Sequence, residues 1–124
     1  MSFSLKKTCI TAAMFSTLLA SQQVLAHAHL ASASPADQAV VATSPDALTL
    51  TFTEGVEGSF SGVSVTTTEG KSVDAGKLTV DSSNNKTVHV PLNGELKAGS
   101  YQVNWHVLSV DGHKTKGTYT FSVK

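Results

Sequence analysis

Apolar and polar residues alternate along several short segments of this chain, and the alternation is clearest in residues 101–107. There, aromatic and aliphatic side chains occupy every odd position from Tyr101 to Val107, while amide and imidazole side chains occupy the even positions. A period of two places one face of a β-strand in the core and the other in solvent. We therefore predict a half-buried strand here, with Trp105 in the core.

The same period recurs at near-regular intervals, and no segment of the chain has a convincing helical period. Clusters of Gly, Pro, Asn and Asp separate the alternating segments, as expected of turns. The sequence thus predicts an all-β domain, a seven-stranded antiparallel Greek-key β-sandwich. The seven segments are residues 27–33, 47–53, 60–67, 77–80, 86–92, 101–107 and 117–123.

The first 26 residues have a different pattern, which is typical of a secretory signal peptide. Lys6 and Lys7 precede an apolar stretch over residues 10–19, and Val24 to Ala26 form a small-residue cleavage site. The apolar stretch is too short to span a bilayer stably. We expect residues 1–26 to be removed and residues 27–124 to form one exported, periplasmic domain.

Processing at this site changes the chemistry that is available to the domain. Cys9 is the only cysteine, and Met1 and Met14 are the only methionines, so the expected mature chain has no sulfur ligand. It must therefore fold without a disulfide. A blue-copper electron-transfer centre, which requires a thiolate, and a thioether site for Cu(I) are both excluded.

Charge argues against a nucleic-acid partner. Nine basic and nine acidic residues balance in the full sequence, and removal of Lys6 and Lys7 leaves a slight negative excess. The remaining lysines are scattered and form no basic stripe with interleaved aromatic residues, which a protein that follows a phosphate backbone would need.

The segment after Val107 combines a carboxylate and an imidazole with a glycine between them. Residues two apart in an extended or tightly turned segment can point to the same side, so Asp111 and His113 could bind one metal ion. The alternative is an ordinary turn in which Gly112 supplies a positive φ and His113 is solvated.

The expected mature N-terminus favours the metal site. Cleavage after Ala26 would make His27 the first residue, and its free α-amine and imidazole could together chelate a metal. Nitrogen donors combined with a carboxylate oxygen suit tetragonal Cu(II), which is at the top of the divalent stability series. His27, Asp111 and His113 are therefore candidate ligands for one Cu(II) ion.

Several segments of the chain match one family: His27, residues 34–37, 50–56, 60–62 and 98–101, Trp105, and residues 109–113 and 117–121. Together these segments resemble the CopC-type periplasmic copper-binding proteins, and especially their short members without a methionine-rich segment. The resemblance implies a cupredoxin-like or immunoglobulin-like fold, Cu(II) ligation by His27, Asp111 and His113, and a role in copper homeostasis and copper resistance. It also implies a partner, an inner-membrane copper transporter of the CopD type.

Two other functions remain open at this point. An N-terminal histidine that chelates copper also occurs in oxidative polysaccharide-cleaving enzymes, and a metal-free immunoglobulin-like interaction module is the simplest alternative. The chain is short and has no evident flat aromatic platform for a glycan, so we expect a binding protein and not an enzyme.

The other histidines have different expected positions. His29 could form a rival Cu(II) site with the N-terminal amine and two ionised backbone amides, but those amides are donors that a first strand needs. We expect His89 and His106 to face solvent, and His106 could support the metal site indirectly.

Overall fold

The structure is a computed structural model that describes residues 28–124, so the expected signal segment and His27 lie outside the described residues. Within that range no helix has the length and hydropathy needed to cross a bilayer. A 3₁₀ turn, Gly58–Phe60, accompanies nine strands in the described part. The strands are β1 Leu30–Ser34, β2 Val40–Val41, β3 Ala47–Phe52, β4 Gly62–Thr67, β5 Ser72–Val73, β6 Thr79–Val80, β7 Thr87–Pro91, β8 Gly99–Leu108 and β9 Lys114–Val123.

The strands form two sheets. One has the order β1-β3-β7-β6 and the other has the order β2-β9-β8-β4-β5. The pairs are antiparallel except for β2 and β9, which run parallel over two residues. The predicted all-β sandwich is therefore confirmed.

The number of strands differs from the predicted seven. The two additional strands, β2 and β5, each contain two residues. Segments this short are below the length at which an alternating pattern can be recognised. β9 also begins at Lys114, three residues earlier than predicted, because Gly117 is accommodated within the strand opposite Trp105.

The β8–β9 hairpin is the longest strand pairing within residues 28–124 and carries Asp111 and His113 at its turn. The register runs from Gly99 opposite Val123 to Leu108 opposite Lys114. The predicted alternation along β8 is confirmed, because its odd-numbered residues from Tyr101 to Val107 are buried. Trp105 packs edge-on against Phe52 of the other sheet, with ring centroids 5.1 Å apart. These contacts between the sheets hold the hairpin in place.

Candidate metal centre

A closed turn connects the ends of β8 and β9. The Ser109 N–H donates to the His113 carbonyl oxygen at 2.9 Å, and the Gly112 N–H donates to the Ser109 carbonyl oxygen at 2.9 Å. Gly112 has a φ of 91°, in the left-handed region that glycine adopts most easily. The turn therefore has a defined backbone that brings residues 111 and 113 to the same side.

The buried Ser109 side chain orients the Asp111 carboxylate. It continues the buried face of β8 and is 1% exposed. Its hydroxyl donates a hydrogen bond to Asp111 Oδ1, and the His113 N–H donates to the same oxygen at 3.3 Å. The Ser109 hydrogen bond is the main cause that holds the pKa of Asp111 below its usual value, with a smaller contribution from His113. Asp111 is thus an oriented, ionised oxygen donor.

The two predicted ligands of the turn are in contact. His113 Nδ1 lies 3.2 Å from Asp111 Oδ1, and the two side chains are 51% and 41% exposed. A carboxylate oxygen and an imidazole are therefore paired at an accessible surface. This is a donor combination that suits a borderline divalent metal ion.

The start of the described chain lies against the same hairpin. Thr115, two residues after His113, donates its hydroxyl hydrogen to the Ala28 carbonyl oxygen at 2.8 Å. Ala28 is fully buried. The residue that precedes Ala28 in sequence is His27, the third predicted ligand, which lies outside the described residues and stays a prediction. Residues 28–124 contain no group of three His, Cys, Asp or Glu side chains close enough to hold a metal ion.

Comparison with known proteins identifies the family. The CopC domain family matches residues 30–124, which include both sheets and the turn. The chain belongs to the CopC family.

Several relatives align with the chain over nearly its whole length. Protein YobA of Escherichia coli strain K12 is 47% identical over 112 residues, which cover 90% of each chain. Copper resistance protein C of Xanthomonas campestris pv. juglandis is 33% identical over 127 residues and covers 98% of this chain and 99% of its own. Among solved structures, PcoC, a methionine-rich copper resistance protein from Escherichia coli, superimposes with a TM-score of 0.72 at 34% identity, covering 80% of this chain and all of PcoC.

The remaining histidines of this CopC-family chain lie in three different environments. His29 is exposed just before β1. His106 is exposed as predicted, and its ring lies over Gly62, where an added Cβ would come within 2.6 Å of the imidazole. His89 is only partly exposed, because Asp81 and Thr49 both bond to its ring. The expectation that His89 simply faces solvent was therefore incomplete.

Three hydroxyl residues at this site were not singled out by the sequence. Ser109 could have been found, since it falls on the buried phase of the β8 alternation, where a polar side chain needs a partner. Thr53 and Thr115 gave no such signal, because each bonds to the chain start across a long sequence separation. Only the fold brings those segments together.

Proposed function

We propose that this protein binds one Cu(II) ion through His27, Asp111 and His113. The observation that carries the proposal is the contact between Asp111 and His113 beside an anchored chain start, in a member of the CopC family. Copper is the cargo of this site, and the residues present fit it. The amine and imidazole of His27 would supply two nitrogens, His113 a third and Asp111 an oxygen.

The donor set favours the oxidised state of the metal. Nitrogen and carboxylate donors suit Cu(II), whereas Cu(I) prefers thiolates and thioethers. PcoC is described as methionine rich, but both methionines of this chain precede residue 27. We accordingly propose a Cu(II) site without a separate methionine-built Cu(I) site.

The cellular role that we propose is copper homeostasis and resistance in the periplasm. Residues 1–26 would direct export of the domain, and their removal would free the amine of His27. The domain would then buffer Cu(II) or carry it to an inner-membrane transporter of the CopD type. The signal-like start of the sequence and the name of the Xanthomonas relative, copper resistance protein C, support this role.

We favour binding over oxidative catalysis because of Asp111. Ser109 and the His113 backbone hold this carboxylate on the side of the turn where His113 lies, so it would fill a coordination position that an oxidative enzyme keeps open for its co-substrate. An oxidase assay with a reductant tests this choice. The copper-loaded protein should produce no more peroxide than an equal amount of copper in a chelate of similar affinity.

The direct test of the proposed ligands compares two N-termini. In a chelator competition, a chain that begins at His27 should bind Cu(II) far more tightly than the same chain with one glycine before His27. The difference should be at least the roughly 10- to 100-fold that residues supporting a metal ligand typically contribute. The reason is that a peptide bond would occupy the amine. Equal affinity for the two chains would contradict ligation by the amine.

A further inference from the structure

The two residues that follow His27 are held by side chains outside the regular ladder. β1 begins at Leu30, opposite Phe52 of β3, so Ala28 and His29 precede the first ladder pair. Even so, His29 is bonded at both its N–H and its carbonyl oxygen, and the Ala28 carbonyl oxygen also has a partner. We propose that Thr53 and Thr115 are positioning residues that hold the start of the chain ready for copper. This inference rests on the proposed Cu(II) site.

Thr53 continues β3 by one residue and holds His29 with two bonds. Its N–H donates to the His29 carbonyl oxygen at 2.9 Å, and its hydroxyl oxygen accepts from the His29 N–H at 2.9 Å. The hydroxyl thus takes the place of a carbonyl acceptor just where the register between β1 and β3 becomes irregular. The backbone bond would persist in any variant, but the second bond requires a hydroxyl at position 53.

Thr115 holds the chain start from the opposite sheet. It is paired with Val107 across the hairpin, and cross-strand partners share a face, so it lies on the inner face of β9. Its hydroxyl reaches Ala28 at 2.8 Å, and Ala28 leads into β1 of the other sheet. Because Thr115 and His113 are on the same short segment, this bond fixes the chain start relative to one proposed ligand.

The hydrogen bonds of Thr53 and Thr115 would allow the terminal residue His27 to act as a tight ligand. Consecutive Cα atoms are about 3.8 Å apart, so fixing Ala28 limits the volume that residue 27 can reach. A ligand on an unanchored terminus would have to be ordered when the metal binds, which lowers affinity. The contribution of one neutral hydrogen bond corresponds to a change of roughly threefold to tenfold in an equilibrium constant.

The test uses chains that begin at His27, and it has a matched control. Thr53→Val and Thr115→Val remove one hydroxyl each with little change in shape, whereas Thr53→Ser retains the acceptor. Thr51→Val is the control, because Thr51 is on the same face of β3 and its hydroxyl bonds to Thr87 at 3.0 Å, away from the chain start. Chelator competition gives the Cu(II) affinity, and hydrogen exchange of the His29 amide in the metal-free protein reports the anchoring.

We expect Thr53→Val and Thr115→Val each to weaken Cu(II) binding by about threefold to tenfold, and the double variant to weaken it further. The His29 amide should exchange faster in Thr53→Val, while Thr53→Ser and Thr51→Val should match the unaltered chain in both measurements. Unaltered affinity in both valine variants, or an equal loss in Thr51→Val, would overturn the inference and leave the proposed site intact. If His113→Ala bound Cu(II) as tightly as the unaltered chain, the proposed function and the inference would both be overturned.

Discussion

Residues 28–124 contain two contacts between a histidine and an aspartate, and the two contacts differ in what surrounds them. In the β8–β9 turn, His113 Nδ1 lies 3.2 Å from Asp111 Oδ1. On the outer face of the other sheet, His89 Nε2 lies 2.9 Å from Asp81 Oδ1. The distances and side-chain exposures are similar, so neither quantity alone distinguishes a metal site from a structural contact.

Their hydrogen-bond partners do distinguish them. Both ring nitrogens of His89 are engaged within the sheet, Nε2 with Asp81 and Nδ1 with the Thr49 hydroxyl at 3.2 Å. Asp81 in turn accepts from the N–H and the hydroxyl of Ser83. This contact joins β6 to β7 and β3, and a metal ion could bind there only by breaking it.

The contact in the β8–β9 turn instead lies near the start of the described chain. Ser109 supports Asp111 from the core, and Thr115 ties the same segment to Ala28, next to the expected mature N-terminus. The expected third donor, His27, directly precedes the anchored Ala28 in the sequence. We therefore expect copper binding to depend on the turn contact between Asp111 and His113 and not on the sheet contact between Asp81 and His89.

The largest expected difference between the two contacts is in copper affinity. His113→Ala should weaken Cu(II) binding on the order of 100-fold, since even residues that only support metal ligands typically contribute 10- to 100-fold. His89→Ala should leave the affinity unchanged. Chelator competition on both variants measures this difference, and comparable losses in the two would contradict the assignment of separate roles.

Acid should release the metal through its nitrogen ligands. An α-amine ordinarily has a pKa of about 7.7–8.0 and an imidazole about 6.5, so Cu(II) must displace protons from these groups at low pH. The pKa of Asp111 is lowered, so its carboxylate stays ionised over the same range. Affinity should therefore fall steeply below about pH 6. Affinity that stayed constant between about pH 7 and 5 would argue against histidine and amine ligation.

The sheet contact should show its effect in stability at lower pH. The His89 hydrogen bond, with those from Ser83, lowers the pKa of Asp81 to about 2. A carboxylate whose pKa is lower in the folded state stabilises the protein above its unfolded pKa, and this contribution is lost as the pH falls. The stability advantage of the unaltered chain over Asp81→Asn should thus be present at about pH 5 and shrink between about pH 4 and 2. Thermal unfolding of the two metal-free proteins at several pH values measures this difference in stability. A difference that did not depend on pH would contradict a stabilising role for the ionised Asp81.

The sequence predicted the features that depend on local patterns. The alternation along β8 identified the buried face with Trp105, and the spacing of Asp111 and His113 identified the turn pair. The two-residue strands β2 and β5 were missed because two residues carry no recognisable period. They form where the backbone of a neighbouring strand is available for pairing.

Features that depend on long-range pairing could not be read from spacing. His89 and Asp81 are eight residues apart and meet only because β6 and β7 are adjacent. The bonds that Thr53 and Thr115 make to the chain start span 24 and 87 residues, respectively. The pairing of Asp111 with His113 could therefore be predicted from the sequence, whereas the contacts that hold it could not.

We expect copper to use the turn and not the rival site within the first three residues of the expected mature chain. The rival would use the His29 imidazole and ionised backbone amides, including that of His29, which here donates to Thr53 at 2.9 Å. Cu(II) electron paramagnetic resonance on His29→Ala and His113→Ala at neutral pH separates the two. We expect a changed spectrum in His113→Ala and an unchanged spectrum in His29→Ala, and the opposite pair of results would show that copper uses the rival site.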